Sequence, residues 1–306
     1  MMRRTFLWAS TNPWLSRRLP ERRFVRRAVR KFMPGETLEH ALGEADRLGG
    51  EGVPTLITML GENVETVEET RGTVAEYTRV MELAEEMGLD VEVSIKPTHL
   101  GLDQGADVAC DNVSELAAQA RGRGTLWIDM EGSEYTEATL SLFRAVRSRH
   151  ENVGLCLQSY LRRAAEDLES LIELGPRIRL VKGAYSEPPD LAFPTKSDVD
   201  ANYLALARRL MDHLADGGDG FLGLGTHDPA MIGPLSEYAA AAGLDGGRFE
   251  IEMLYGIGRR DQRRLVRNGT PLRVLISYGD AWFAWYMRRL AERPANVWFV
   301  ARSMFR

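Results

Sequence analysis

Downstream of residue 50 the chain switches repeatedly between two spacings of apolar residues. Short, almost unbroken apolar runs recur at 53–60, 90–96, 125–130, 153–157, 178–182, 221–225, 249–254 and 272–276. Between them lie amphipathic stretches at 64–87, 106–121, 136–149, 161–174, 199–216, 229–242, 259–268 and 280–291. Runs of this length predict buried strands, and the amphipathic stretches predict helices that cover them. Strand then helix, eight times over, implies right-handed crossovers and a parallel sheet. Eight such units fit a closed (β/α)8 TIM-like barrel better than an open sheet, and no Gly-rich GxGxxG loop follows the first run to favour a dinucleotide fold.

The chain ahead of the barrel reads differently. Pro34-Gly35 closes one unit, and Thr37 begins a helical stretch to about Leu48, which Gly49-Gly50 ends. Extra N-terminal helices over 1–50 are therefore expected before a catalytic barrel over 51–306. Residues 1–31 hold ten Arg and Lys against Glu21 alone, net +9 in a chain of net charge −5, so the remainder carries −14. Such a segment suits an anionic lipid surface, a nucleic acid, or the chain's own acidic face, for which Leu15, Leu19, Val25, Val29 and Phe32 supply an apolar side. The apolar run at 5–9 is too short for a signal peptide, and no run approaches the roughly 20 residues of a membrane span.

Composition adds exclusions more than identity. At 306 residues, 44% hydrophobic and 27% charged, the chain has the make-up of a soluble globular protein with a sizeable core. Its two cysteines, Cys110 and Cys156, form no CxxC and stand apart from any histidine at ligand spacing, which argues against disulfides and structural zinc and favours a reducing, cytoplasmic setting.

In barrels of this kind the chemistry gathers at the carboxyl ends of the strands. Here those ends carry Glu62, Lys96, Asp129 with Glu131, Gln158, Arg179 and Lys182, Thr226-His227-Asp228, and Glu252. Convergent buried charge is costly unless paired or met by a ligand, so this series points to a site. No GxSxG elbow or Walker loop is present, and His99 and His227 do not make a metal cage, so no metal is expected. The late segment RRLAE adds Arg288 and Arg289, with Glu292 four and three residues on and within helical reach of both. Lys96, Arg288 and Arg289 together suit an anionic group such as a substrate carboxylate. The loop 183–198, long and rich in Pro, Asp and Ser, is of the kind that is functional inside a barrel.

Three strings, RLVKGAY at 179–185, IEMLYGI at 251–257 and RRLAERPANVWFV at 288–300, resemble the proline dehydrogenase family of flavoproteins. SIKP at 94–97, IDMEGSEYTEATL at 128–140 and Thr226-His227 extend the likeness in order and spacing over roughly residues 50–306. The resemblance implies a (β/α)8 barrel that binds FAD, oxidises L-proline to 1-pyrroline-5-carboxylate and passes electrons to a membrane quinone. Beside that quinone, the basic charge of residues 1–31 suggests peripheral contact with the inner face of the membrane, for a cytoplasmic chain with no nucleic-acid partner. It makes Arg288, Arg289 and Lys96 the holders of the substrate carboxylate, and Glu292 the acid facing the ring and amine. Tyr185 and Leu180 become pocket residues, Asp129 the acid beside Lys96, and Glu62 the partner that closes an ion-pair gate with Arg288. Around the flavin it places Arg179 by the reactive ring nitrogen, with Gln158, Lys182, Gly183, Ala184, Thr226 and His227 as further contacts.

Three positions depart from the family pattern. Leu275 stands where the eighth strand ends with a tyrosine on the substrate side, Glu252 replaces a glutamine near the flavin, and Thr58 takes a place where aspartate is common. A lost phenol reshapes a pocket, and an unpaired carboxylate beside a flavin opposes its reduction. The alternatives are a dehydrogenase of another amine-bearing carboxylic acid and a barrel kept as a binding module.

Overall fold

In a computed structural model, the apolar runs become eight strands, β1 (Thr55–Met59), β2 (Val91–Ile95), β3 (Leu126–Ile128), β4 (Val153–Gln158), β5 (Arg177–Val181), β6 (Phe221–Gly225), β7 (Phe249–Leu254) and β8 (Leu272–Tyr278). The structure describes residues 29–292 together with Asn12 and Val25, except the side chains of Arg289, Ala291 and Glu292. Each strand pairs in parallel with the next, and β8 closes the ring on β1, with Leu275 opposite Leu56. The expected (β/α)8 barrel is thus the fold.

Nine helices among the described residues accompany the strands: α1 (Leu38–Gly49), α2 (Val67–Glu86), α3 (Ala106–Gln119), α4 (Thr136–Arg147), α5 (Ala164–Ile172), α6 (Lys196–Ala215), α7 (Pro229–Ala241), α8 (Arg259–Arg267) and α9 (Trp282–Glu292). Local chemistry sets their starts. The Thr66 hydroxyl accepts from the Glu69 N–H while the Glu69 carboxylate accepts from the Thr66 N–H, a reciprocal cap that opens α2. Thr195 caps α6 from the Asp198 N–H, so that helix begins three residues ahead of the expected 199. The segment 183–195 is tied down: the N–H of Phe193 donates to the Tyr160 carbonyl at 2.8 Å, and that of Arg162 to the Leu191 carbonyl at 3.0 Å.

Alternation along each strand separates two cores. Ile57, Ile95, Ile128, Leu155, Leu180, Leu224, Ile251 and Ile276 point outward into one continuous layer beneath the helices. The other face fills the barrel. At its amino-terminal end Arg273 donates to Glu250 at 2.9 Å, to Asp90 at 3.0 Å and to the Thr55 carbonyl at 3.1 Å. Glu92 accepts from the Trp127 indole at 2.6 Å and the Thr125 N–H at 2.9 Å. Trp127 packs with Leu56, Phe221 and Leu275, and a side chain at Gly154 would stand 2.5 Å from its ring. The barrel is therefore plugged at one end and built open at the other.

One stave comes from an unexpected part of the chain. The helix α1, read in the sequence with the segment before the barrel, packs against β1 and β8. That is the slot a helix following β8 would fill in a regular alternation. The helix that does follow β8, α9, joins a separate cluster in which Trp282, Phe283, Tyr286 and Leu290 meet Val25, Val29, Phe32, Leu60 and Ile257. Released from the wall, α9 lies against the loop after β1.

Candidate active site

Strand β2 stops because Pro97 follows Lys96. Pro97–Leu100 form a single 3-10 turn, ended by Gly101 at φ 99°. Lys96 is left at the mouth with a buried stem, and its ammonium makes no hydrogen bond or ion pair with the described residues. Arg288 of α9 reaches across to the loop after β1 and donates to Glu62 through both terminal nitrogens, at 2.6 and 3.3 Å. Its guanidinium also lies over the Tyr185 ring, 5.1 Å from the centroid. Burial works to raise the Glu62 carboxyl, but Arg288 and Lys96 outweigh it and hold the group below its ordinary value. Burial, then the Lys96 charge, pushes His99 down to about 4, so its ring is neutral around pH 7. Burial pushes Glu131 up to about 7, against two hydrogen bonds from Thr98.

Deeper in the mouth Arg179 organises a second group. It is 3% exposed. One terminal nitrogen donates to Ser94 Oγ at 2.8 Å and to the Asp129 carboxylate; Ser94 Oγ in turn donates to Asp129 at 2.8 Å. The guanidinium sits above Trp127, 5.4 Å from the ring centre. Its other terminal nitrogen, 3.6 Å from Glu252 Oε2, has no hydrogen-bond partner among the described residues, nor has either Glu252 oxygen. Burial in this dry interior pushes the Glu252 carboxyl up, with Arg179 opposing. Gln158 donates to the Met130 carbonyl at 3.1 Å and leaves its own side-chain oxygen unmatched.

The β5–β6 corner is more fully paired. Lys182 contacts Asp200 at 2.6 Å and Asp228 at 3.3 Å, and Lys196 joins both carboxylates. Thr226 Oγ1 accepts from the Asp228 N–H at 3.2 Å, and His227 Nε2 accepts from the Leu254 N–H at 3.2 Å. Gly183 takes φ 107° with the Tyr160 ring lying where a β-carbon would stand, so glycine is required. Gly183, Ala184, Val181, Gly225 and Leu254 are all half-buried at this end of the barrel.

The structure therefore brings Glu62, Lys96, Asp129, Gln158, Arg179, Lys182, Gly183, Ala184, Tyr185, Thr226, His227, Glu252 and Arg288 to one end of the barrel. The side chains of Arg289 and Glu292 lie outside the described residues. Asp129 bonds to Arg179 and Ser94 rather than to Lys96. Leu180 does not line the mouth: it alternates with Arg179, faces outward and is 2% exposed under the helices. Leu275 lies inside the barrel, half-buried, but β8 runs on to Tyr278 beyond it, with Thr58 and Ser277 paired above. Ser94 was missed, although a signal existed: Glu92, Ser94 and Lys96 form a polar stripe at every second position of an otherwise apolar strand. Among the described residues no group of three His, Cys, Asp or Glu side chains is placed to hold a metal ion, and no helix is long and apolar enough to cross a membrane.

Comparison with known proteins agrees with this geometry. A family profile described as "Proline dehydrogenase" matches residues 41–302. "Proline dehydrogenase 1" of Bacillus subtilis (strain 168) is 34% identical over 307 residues, spanning 100% of both chains. The "Proline dehydrogenase" of Deinococcus radiodurans is 35% identical over 282 residues, 90% of this chain and 89% of that one. Among solved structures, proline utilization A (PutA) from Bdellovibrio bacteriovorus, inactivated by N-propargylglycine, superposes with a TM-score of 0.79 at 22% identity, over 87% of this chain and 32% of that one. That likeness supports the barrel, and the sequence relatives carry the rest: this chain is an oxidoreductase that belongs to the proline dehydrogenase family.

Proposed function

We propose that the chain oxidises L-proline to 1-pyrroline-5-carboxylate, with FAD as resident cofactor and a quinone as electron acceptor. The observation that carries this reading is the meeting of two unlike groups in one mouth: a cationic anchor, Lys96 with Arg288, and a polar edge with unmatched capacity, Arg179 with Gln158. An amino acid presents its carboxylate to the first. The second would suit a flavin, for which the Arg179 nitrogen that makes no hydrogen bond among the described residues would be a donor and the Gln158 oxygen an acceptor. When bound, FAD supplies the hydride acceptor that no side chain provides.

Oxidation removes a hydride from C5 of proline and a proton from the nitrogen as the C=N bond forms. The residues of this chain fix where that carbon lies. Lys96 and Arg288 direct the carboxylate, and with it the ring, toward Val181 and Leu254. Glu62 and Tyr185 hold Arg288 across the opening and exclude water from the anchored substrate. Arg179, fixed by Asp129 and Ser94, would help hold the cofactor and would supply positive charge that favours its reduction. Lys182 is already engaged by Asp200 and Asp228, so a cofactor phosphate there competes with two carboxylates.

The purified protein is expected to be yellow, and its flavin absorption to bleach when L-proline is added without oxygen. Flavin that stays oxidised in millimolar proline while another amine-bearing carboxylic acid bleaches it overturns the proline reading. The basic residues of 1–31 are assigned to an anionic membrane surface on the inner face, where a quinone resides. Replacing Arg3, Arg4, Arg17, Arg18, Arg22 and Arg23 by Gln is expected to reduce co-sedimentation with anionic vesicles and to leave turnover with a soluble acceptor intact; undiminished binding overturns the assignment.

A further inference from the structure

The loop that carries Glu62 is fixed on both sides of that residue. At Gly61 the ring of His99 lies where a β-carbon would stand, so only glycine fits. Asn63 has φ 52°, the one left-handed backbone among the described non-glycine residues. Its side-chain amide donates to Asp103 at 2.9 Å and to the Tyr135 hydroxyl at 3.0 Å. Its backbone N–H donates to Thr98 Oγ1 at 3.0 Å. Thr98 is itself held: its hydroxyl donates to Glu131 Oε1 at 2.7 Å and its N–H to Glu131 Oε2 at 3.0 Å. Thr98 and Glu131 are both buried. A line of hydrogen bonds thus runs from the end of β3, through the turn after β2, to the residue next to Glu62.

We propose that Thr98 is a positioning residue for the Glu62–Arg288 closure, with Glu131 as its anchor. The Thr98 hydroxyl accepts from the Asn63 amide only while its own proton is directed at Glu131, so the carboxylate of one strand end sets the loop of another. The left-handed Asn63 backbone costs free energy in isolation and persists because its surroundings over-determine it. Without the Thr98 acceptor, that N–H loses its protein partner and the loop relaxes, and Glu62 no longer waits opposite Arg288. This inference rests on the reading of the mouth as an amino-acid site. A brace that merely stabilised the barrel would show in melting and not in substrate affinity.

The test uses the holoenzyme with Thr98→Val, Thr98→Ser and Glu131→Gln, and Thr98→Val again in a Glu62→Ala background. Mass-spectrometric hydrogen exchange over 61–66 is expected to quicken about five-fold in Thr98→Val, the scale of one net hydrogen bond. Glu131→Gln quickens the same segment, and Thr98→Ser, which keeps the hydroxyl, returns it to the wild-type rate. KM for proline is expected to rise about five-fold in Thr98→Val with kcat within about two-fold, and this rise disappears once Glu62 is absent, as coupled residues require. Unchanged exchange over 61–66, or a KM rise that persists in full in the Glu62→Ala background, overturns the role. If the wild-type enzyme does not oxidise proline, the substrate reading fails, and the exchange rates still decide the case of Thr98.

Discussion

The two ends of the barrel hold the same kinds of residue in opposite states. At the amino-terminal end Glu92, Glu250 and Arg273 sit in dry surroundings and answer one another, with Asp90, the Trp127 indole and backbone groups completing the set. At the mouth Arg179, Gln158 and Glu252 are as deeply buried, yet each keeps a polar atom with no hydrogen-bond partner among the described residues, Arg179 and Glu252 facing each other only at 3.6 Å. Buried charge of the first kind is structure. Buried polar groups of the second kind hold hydrogen-bonding capacity that a ligand can meet, since an unmatched buried polar group costs free energy until it is met.

The comparison can be broken from either side. Arg273→Met strands two carboxylates in the interior and is expected to cost about 3–5 kcal/mol of unfolding free energy by urea denaturation, with substrate affinity of the folded fraction unchanged. A loss under about 1 kcal/mol would mean that the plug is not what closes this end. Arg288→Met should do the reverse. Glu62 is 24% exposed at its side chain and can rehydrate, so stability should move by less than about 1 kcal/mol. KM for proline should rise about 100-fold with the charged contact to the carboxylate gone. Unchanged affinity would remove Arg288 from the anchor.

Glu131 sharpens the contrast through pH. Its pKa is raised on folding from 4.5 to about 7, so the folded chain favours the protonated carboxyl. The stability this contributes is fully present below pH 4.5 and is lost as pH rises through about 7. Unfolding free energies of the wild type and Glu131→Gln, compared at pH 5 and pH 8, should diverge by on the order of 3 kcal/mol; parallel profiles would contradict the assignment. The smallest effect is expected at Glu252→Gln. Burial favours the neutral acid, and the amide is nearly its shape, so stability at neutral pH should stay within about 1 kcal/mol by thermal melting. A larger loss would place Glu252 with the satisfied charges of the other end.

How much of this was legible in the sequence depended on distance along the chain. The barrel was, because strand and helix leave local periodicities; so were Lys96, Arg179 and Glu252, polar residues at alternate positions of apolar runs, although β5 and β7 continue two residues beyond Arg179 and Glu252. Ser94 was legible in the same stripe and was passed over because serine alone signals little. The partner of Arg288 is a different matter. Helical spacing offered Glu292, whose side chain lies outside the described residues, while the described partner, Glu62, is 226 residues away. The family likeness suggested that pairing; periodicity had no means to. The tying of Asp129 to Arg179 rather than Lys96 depends on the register of β2, β3, β4 and β5, which no single run encodes.

The helix that fills the slot beside β1 and β8 has a mechanical consequence. Because α1 already completes the wall, the apolar contacts of α9 among the described residues gather at the loops after β1 and β7 and at the segment ahead of α1. A lid that doubled as a stave could lift only by wetting two strands of the central ring. Here the chain leaves β8 at Gly279, with φ 116°, and α9 packs outside the wall that α1 completes. The Arg288–Glu62 contact across the mouth and the covering of β1 and β8 are thereby carried by different helices.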